Sequence, residues 1–489
     1  MQKADTVAGT VLRPRDPLYA QLASEFRRQI DGGVLRVGDK LPSIRALRRG
    51  RRLSAATVME AYLRLERDGY VRARDRSGFY VLHAFARACP EPQPLRALVP
   101  PAPVGISRLV TEVLHQTGDR KLVPLGVSTL GPTILPIARL NRAFRRVLTT
   151  TPLHSARYTT IRGHLSLRRQ IARRALASGV GGDADDIVIT SGGMDALNLA
   201  LRAVAAPGDV VAVESPTYFG VLQALESAHV RVVEVPSDAR TGFDLGLLER
   251  AIRRHGVKAV LSMTTCQNPQ GTVMSDEAKA ELVTLTARHD VALVEDGVYA
   301  ELVYDETKRR PAKAFDKKGL VLFCGSFSKV IAPGLRVGWV EAGRFRDRVE
   351  ALKGVTSLIT SALPQLAVTE LLESGFFDRY IKRTRMIAAD QTRRYIEALT
   401  EAMPPGTRMT RPSGGNLIWV QLPSKGDGTR LYSRLLDQGV GIFPGEIFSA
   451  GAKHRGFVRI GCGMPFTPSI ERAIGIIGRT CRELQRSTA

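Results

Sequence analysis

The chain has 489 residues, 44% hydrophobic and 24% charged, with a formal net charge of +24, a soluble globular composition at a length that calls for two to four domains. Its five cysteines are scattered and form no C-x-x-C pair, no apolar run is long enough to cross a bilayer, and no apolar h-region opens the chain; a disulfide framework, a zinc or other metal site, a membrane span and a secretory signal are therefore not expected, and a cytoplasmic protein is. The charge points to an anionic partner, nucleic acid before membrane surface, and residues 1–88 carry +9 of it.

Leu18, Leu22, Phe26 and Ile30 recur every four residues, one stripe of a helix that Gly32-Gly33 is expected to end. Ser43, after Leu41-Pro42, is placed to cap a second helix through Ile44, Arg45, Ala46 and Leu47. Ser54 is placed to cap a third over residues 55–68. Its Val58, Met59, Tyr62, Leu63 and Leu65 are expected to face inward, and Gly69 to close it. Residues 70–74 and 79–82 are short β-like runs flanking a turn at Asp75-Arg76-Ser77-Gly78. Three helices and a hairpin are the order of a winged helix-turn-helix. In such a unit the second helix of the pair lies in the major groove, its N-terminal residues on base edges. That end is Ser54-Ala55-Ala56-Thr57. Arg45, Arg48, Arg49, Arg51 and Arg52 precede it and suit phosphates, and Arg72, Arg74 and Arg76 place charge on the wing.

Residues 84–105 hold six prolines and read as an extended, semi-rigid linker. They separate a head, residues 12–83, from a body, residues 106–486. In the body, apolar runs at 186–190, 209–213, 230–235, 259–263, 291–294 and 319–323 alternate with helical stretches. That alternation predicts an α/β/α unit with a mainly parallel sheet covered on both faces, over about 130–375. A smaller α+β unit follows over about 376–486.

The head pattern is Pro17-Leu18-Tyr19, Leu41-Pro42-Ser43-x-Arg45, Thr57-Val58 with Ala61-Tyr62-x-x-Leu65, and Gly69-Tyr70-Val71. It resembles the GntR-type winged helix over nearly all of residues 12–82. The resemblance implies double-stranded operator DNA as partner, contacted by Ser43, Arg45, Arg49, Ser54, Ala55, Thr57, Arg72 and Arg74. The family usually has arginine where this chain has Ala55, and alanine cannot make arginine's bidentate contact to guanine.

In the body, Ser326-Phe327-Ser328-Lys329, Pro333-Gly334-Leu335-Arg336 and Gly338-Trp339 put an amine, two hydroxyls and a guanidinium into one stretch. This resembles the cofactor-lysine motif of fold-type I, class I/II aminotransferases, and implies pyridoxal 5'-phosphate (PLP) bonded through its aldehyde to Lys329. Ser326, Ser328 and Arg336 would hold the phosphate, with the helix start at Gly193-Met194. The resemblance carries Asp296 to the pyridine nitrogen, Tyr299 and Asn268 to the phenolic oxygen, and Tyr218 to the ring face. It carries Tyr158 to the phosphate of a partner subunit. Arg459, in Phe457-Val458-Arg459-Ile460-Gly461, resembles the arginine that grips a substrate carboxylate, with Asn268 beside it. Pro412-Ser413-Gly414-Gly415-Asn416 resembles the loop lining the substrate side.

A GntR-like head on an aminotransferase-like body is the layout of the MocR regulators, which the chain resembles from end to end. That implies a homodimer and a regulator responding to PLP or to an amino acid or related amine. Many MocR chains carry His-Gln-x-Pro where this one has Gln267-Asn268-Pro269, closer to true aminotransferases. A working aminotransferase carrying a DNA-binding head therefore stands as the alternative, with Lys329 also moving a proton. A nucleic-acid binder with an inert body is the third.

Overall fold

A computed structural model describes residues 17–31, 34–36, 38–51, 53–67, 70–74, 77–81, 89–94, 97–98, 100–116, 121–153, 157–423 and 426–487. The chain divides into two units, Met1–Ala88 and Cys89–Ala489.

In the first, helices Leu18–Asp31, Ile44–Arg51 and Ala55–Arg67 precede an antiparallel hairpin of Val71–Arg74 with Gly78–Val81. Both predicted caps are made. Ser43 Oγ accepts from the amide of Ala46 at 3.1 Å, and Ser54 Oγ from that of Thr57 at 3.0 Å. The core joins Leu22, Phe26 and Ile30 to Leu41, Leu47, Val58, Ala61, Tyr62, Leu65, Val71 and Val81. Two expectations are corrected. Leu18, at the first helical position, is 60% exposed, so the packed stripe begins a turn later. Met59 and Leu63 also face out. The buried stripe is 58, 61, 62 and 65, the i, i+3, i+4, i+7 pattern, and Met59 and Leu63 lie about 100° further round the helix than Val58 and Tyr62. Gly32, Gly33, Arg52, Asp68, Gly69, Asp75, Arg76, Leu82 and the side chain of Arg74 lie outside the described residues.

Of the proline-rich stretch, residues 84–88 also lie outside them; from Cys89 on, the chain runs along the second unit. The Met409 amide donates to Pro90 O at 2.9 Å, and Ala102 pairs antiparallel with Val232. Glu226 Oε2 accepts from the amides of Ile106 and Ser107, both at 3.2 Å, and so holds the start of helix Ser107–Gln116.

The second unit is built on an eight-stranded sheet. Across it the strands run Ile187–Thr190, Gly338–Glu341, Val321–Ser326, Ala292–Asp296, Val257–Ser262, Val210–Ser215, Arg231–Asp238 and Gly242–Phe243. The inner pairings from Val321–Ser326 to Arg231–Asp238 are parallel, whereas Gly338–Glu341 and the edge strand Gly242–Phe243 run antiparallel to their neighbours. Successive residues enter different cores. Val211, Val213, Leu261 and Val294 join one cluster, while Val210, Ala212, Val260 and Leu293 join another on the opposite face. A sheet buried on both faces needs such unbroken apolar strands. The 27-residue helix Phe376–Ala402 leads to a smaller four-stranded antiparallel sheet and a final helix, Pro468–Arg486.

Among the described residues, no helix is long and apolar enough to cross a membrane, and no group of His, Cys, Asp or Glu is placed to hold a metal ion.

Candidate cofactor site and DNA interface

The site of the large unit forms where the central strands end. Strand Ile187–Thr190 runs through Ser191-Gly192 into helix Gly193–Val204. Gly192 has φ +93°, and a Cβ there would lie 2.4 Å from Arg336 Nη2; one on Gly193 would lie 2.8 Å from Val298 Cγ2. Only glycine leaves this backbone bare, and Gly192 offers no side-chain cap to the first helical amides. Facing it, Ser326 and Ser328 hydroxyls are 3.0 Å apart. Arg336 donates to Ser191 O at 3.1 Å and to Ser328 Oγ at 3.4 Å. Among the described residues its guanidinium has no carboxylate partner. Bare amides at a helix start, two hydroxyls and a cation make a cradle for a phosphate.

Asp296 ends the strand Ala292–Asp296 and is 2% exposed. Its Oδ1 accepts from the Val298 amide at 3.1 Å, and burial pushes its carboxyl up to about 6. A buried acid of this kind is matched to a cationic ring nitrogen. Burial lowers the Lys329 amine from its usual range, with Tyr218 and Asp296 opposing and Arg459 adding to the shift. Lys329 Nζ lies 5.3 Å from the centre of the Tyr299 ring and donates to Ser128 Oγ at 3.0 Å. The Tyr299 hydroxyl donates to Ser128 O at 3.1 Å, and burial raises it to about 12. Tyr218, also raised by burial, precedes helix Phe219–Ser227 and couples to Lys329.

Arg459 is 1% exposed and has no carboxylate partner among the described residues. It donates to Asn268 Oδ1 at 3.0 Å and to Gly126 O at 2.6 Å, while its Nε has no partner. The rings of Phe443 and Phe448 lie 4.6 and 5.1 Å from its guanidinium carbon. Burial lowers it to about 10. A buried guanidinium with a donor to spare is a site for a carboxylate that the chain does not itself supply. The loop holding Asn268 is fixed from below: Gln267 Nε2 donates to Glu214 Oε2 at 3.2 Å and to Pro216 O at 2.7 Å. Burial lifts Glu214 to about 7.

The structure thus gathers Lys329, Asp296, Asn268, Tyr299, Tyr218, Ser326, Ser328, Arg336, Gly193, Met194 and Arg459 at one end of the sheet. Tyr158 is not among them: it is 85% exposed on the surface of this chain. Sequence reading missed residues 126–128, which touch Lys329, Tyr299 and Arg459 at once. Two of those contacts are made by backbone carbonyls, which leave no signature in residue type.

In the head, Ser43, Ser54, Ala55 and Ala56 are exposed, and so are Arg45, Arg48, Arg49 and Arg72. Thr57 is half-buried. Arg51 is instead engaged with Glu25, at 2.7 Å through Nη2. Three of the exposed arginines lie on helix Ile44–Arg51, which precedes helix Ala55–Arg67, and Arg72 on the hairpin after it, the elements with which a winged helix-turn-helix meets phosphates beside the groove.

A winged helix-turn-helix joined to a fold-type I unit with a phosphate cradle, a buried acid and a site lysine defines a DNA-binding regulator with a PLP domain. The comparisons agree. Residues 133–476 match the model for aminotransferase class I and II, and residues 18–81 that for bacterial regulatory proteins of the gntR family. The HTH-type transcriptional regulator YdcR of Escherichia coli is 36% identical over 95% of this chain and 99% of its own length. YjiR of the same organism is 37% identical, over 94% and 98%. Among solved structures, the multiple substrate aminotransferase of Thermococcus profundus superposes with a TM-score of 0.72 at 29% identity, over 77% of this chain and 95% of that one. LysN, an α-aminoadipate aminotransferase of Thermus thermophilus complexed with N-(5'-phosphopyridoxyl)-L-leucine, gives 0.71 at 26%, over 77% and 95%. The chain belongs to the aminotransferase class I and II family and, with its gntR-type head, has the MocR architecture. Its cofactor is PLP.

Proposed function

We propose that the protein is a homodimeric cytoplasmic regulator that senses an amino compound carrying a carboxylate at the Lys329 site, and that occupancy of this site changes DNA binding by the head. The observation that carries this reading is the buried Arg459 guanidinium, without a carboxylate partner among the described residues, close enough to the Lys329 amine to act on it electrostatically and bonded to the same segment, Gly126 to Ser128. When bound, PLP supplies an aldehyde that bonds amines and a ring that withdraws electrons. Ser191 to Met194, Ser326, Ser328 and Arg336 would hold its phosphate, Asp296 would pair with its ring nitrogen, and Tyr218 would pack on its ring. Asn268 orients Arg459, which takes the carboxylate of the ligand. Lys329, whose amine burial lowers from its usual range, would bond the cofactor and release it to a competing amine. Differential contacts of this kind are what allow a ligand to shift a conformational equilibrium.

A second reading, transamination, is favoured by one specific feature. A buried Lys329 amine beside Tyr299 and Ser128 is placed to accept and return a proton. The test adds single amino acids to the cofactor-loaded protein and follows absorbance, keto-acid release and operator affinity together. Spectral exchange with altered affinity and no turnover supports the sensor. Rapid keto-acid release with a 2-oxo acid present, at unchanged operator affinity, supports the enzyme and rejects the sensor.

A further inference from the structure

The helix Ala55–Arg67 presents an apolar face where base edges are read. Val58, Ala61, Tyr62 and Leu65 are buried in the head, so the far arc carries Ala56, Met59, Glu60, Leu63 and Arg64, all exposed, while Ala55 is exposed at the first helical position. No arginine, lysine, asparagine or glutamine occurs from residue 53 to residue 63. The hydroxyls of Ser54 and Thr57 are bonded to each other at 2.8 Å, and Ser54 Oγ is also spent on the Thr57 amide. Cationic groups stand to one side, on Arg45, Arg48 and Arg49 of helix Ile44–Arg51, exposed and suited to phosphate.

Charge therefore fits this surface to the DNA backbone, while the first two turns of the helix, ahead of Arg64, carry no strong donor. A guanine edge shows two acceptors in the major groove and asks for a donor pair, and an adenine edge asks for a carboxamide. A thymine edge shows a methyl group, which alanine and other apolar side chains contact. Glu60, further along the helix, offers acceptors alone and suits a cytosine amino group rather than a guanine edge.

We propose that Ala55, Ala56 and Met59 read thymine methyl groups, so that the operator half-site carries T·A pairs at the positions facing the first two turns of this helix. The inference rests on the DNA-binding reading of the head and adds the base it selects. It assigns specificity to burial of methyl surface, and the arginines to sequence-independent attraction.

Selection from random duplexes with the full-length, cofactor-loaded protein supplies the site. Each thymine in it is then replaced singly by deoxyuridine, which removes only the methyl. Affinity is expected to fall about fourfold for each contacted methyl, with no change in salt dependence, because no phosphate contact is altered. In the Ala55→Gly and Ala56→Gly variants the corresponding deoxyuridine substitution is expected to have no further effect. Ala55→Arg is expected to gain roughly tenfold preference for guanine at one position. A selected site with G·C pairs in place of T·A at every position facing Ala55, Ala56 and Met59 overturns the inference, as does unchanged affinity for every deoxyuridine duplex. Enrichment of no sequence at all overturns it together with the DNA-binding reading beneath it.

Discussion

The Lys329 amine donates a 3.0 Å hydrogen bond to the hydroxyl of Ser128, a residue on the segment that follows helix Ser107–Gln116 into the site. The same Ser128 accepts the Tyr299 hydroxyl on its carbonyl. A hydroxyl accepting from an amine favours the charged form of that amine and opposes the burial that lowers it. Ser128→Ala is therefore expected to leave more of Lys329 neutral at a given pH. Capture of added PLP by the cofactor-free variant should then run about 3- to 10-fold faster near neutrality, with the pH midpoint of capture moved to lower pH. Stopped-flow absorbance across pH checks this. An unchanged midpoint would sink the assignment of Ser128 as the partner of the free amine.

Asp296 shows opposite signs for stability and for cofactor binding. Its folded value of about 6 lies above the unfolded 3.8, so the cofactor-free fold holds its proton more tightly than the unfolded chain does. That stabilising effect is fully present below about pH 4, is lost as pH rises to about 6, and stays lost at neutrality. Asp296→Asn removes the buried charge and should stabilise the cofactor-free protein at pH 7 by about 3 kcal/mol at most. The same change should weaken PLP, since the ring nitrogen loses its counter-charge. Denaturation of wild type and variant at pH 4 and pH 7, with and without PLP, checks both. A variant less stable than wild type at pH 7 without cofactor would contradict the argument.

Much of this architecture is legible in the sequence, because buried parallel strands require unbroken apolar runs and a phosphate cradle requires glycines, hydroxyls and a guanidinium in order. The six strands read from those runs all occur in the central sheet. Strand Gly338–Glu341 escaped, since its Gly338-Trp339 lies inside the cofactor-lysine motif and its four residues show no run of their own. Helix faces were less legible. Five apolar residues between 58 and 65 cover too wide an arc to say which point inward, and small Ala61, not Met59 or Leu63, completes the core. Gly126 was illegible because it acts through its carbonyl alone, and Ser128 because its carbonyl shares the role of its hydroxyl; every residue has a carbonyl.

Arg459 separates ligands by a single group. Its guanidinium already holds Asn268 Oδ1 and Gly126 O and keeps Nε unpartnered in a buried setting, where a charge-assisted pair is strong. Arg459→Gln is expected to weaken the spectral response to an amino acid roughly 100-fold, about 3 kcal/mol. The response to the matching amine without a carboxylate should move by less than about threefold, because that ligand never used the guanidinium. Equal losses for both ligands would mean that Arg459 only supports the fold of the site.

Tyr158 tests the homodimer directly. The segment just after it is anchored: the Ile189 amide donates to Arg162 O at 2.9 Å, the His164 amide to Gln365 Oε1 at 2.7 Å, and buried Lys353 to Ile161 O. Yet the Tyr158 ring is 85% exposed, and exposed Val355 and Leu358 follow the lysine on the chain. An aromatic presented to solvent just ahead of this anchored segment suits contact with a second copy, where the hydroxyl would reach the partner's phosphate. Tyr158→Ala and Lys329→Ala should each lose tight PLP binding when alone. Mixed and exchanged, they form heterodimers in which one site has Lys329 from one subunit and Tyr158 from the other, while the second site lacks both. Half of the wild-type cofactor absorbance per heterodimer is the expected recovery. Absorbance that stays at the level of the separate variants after verified subunit exchange would show that each chain completes its own site.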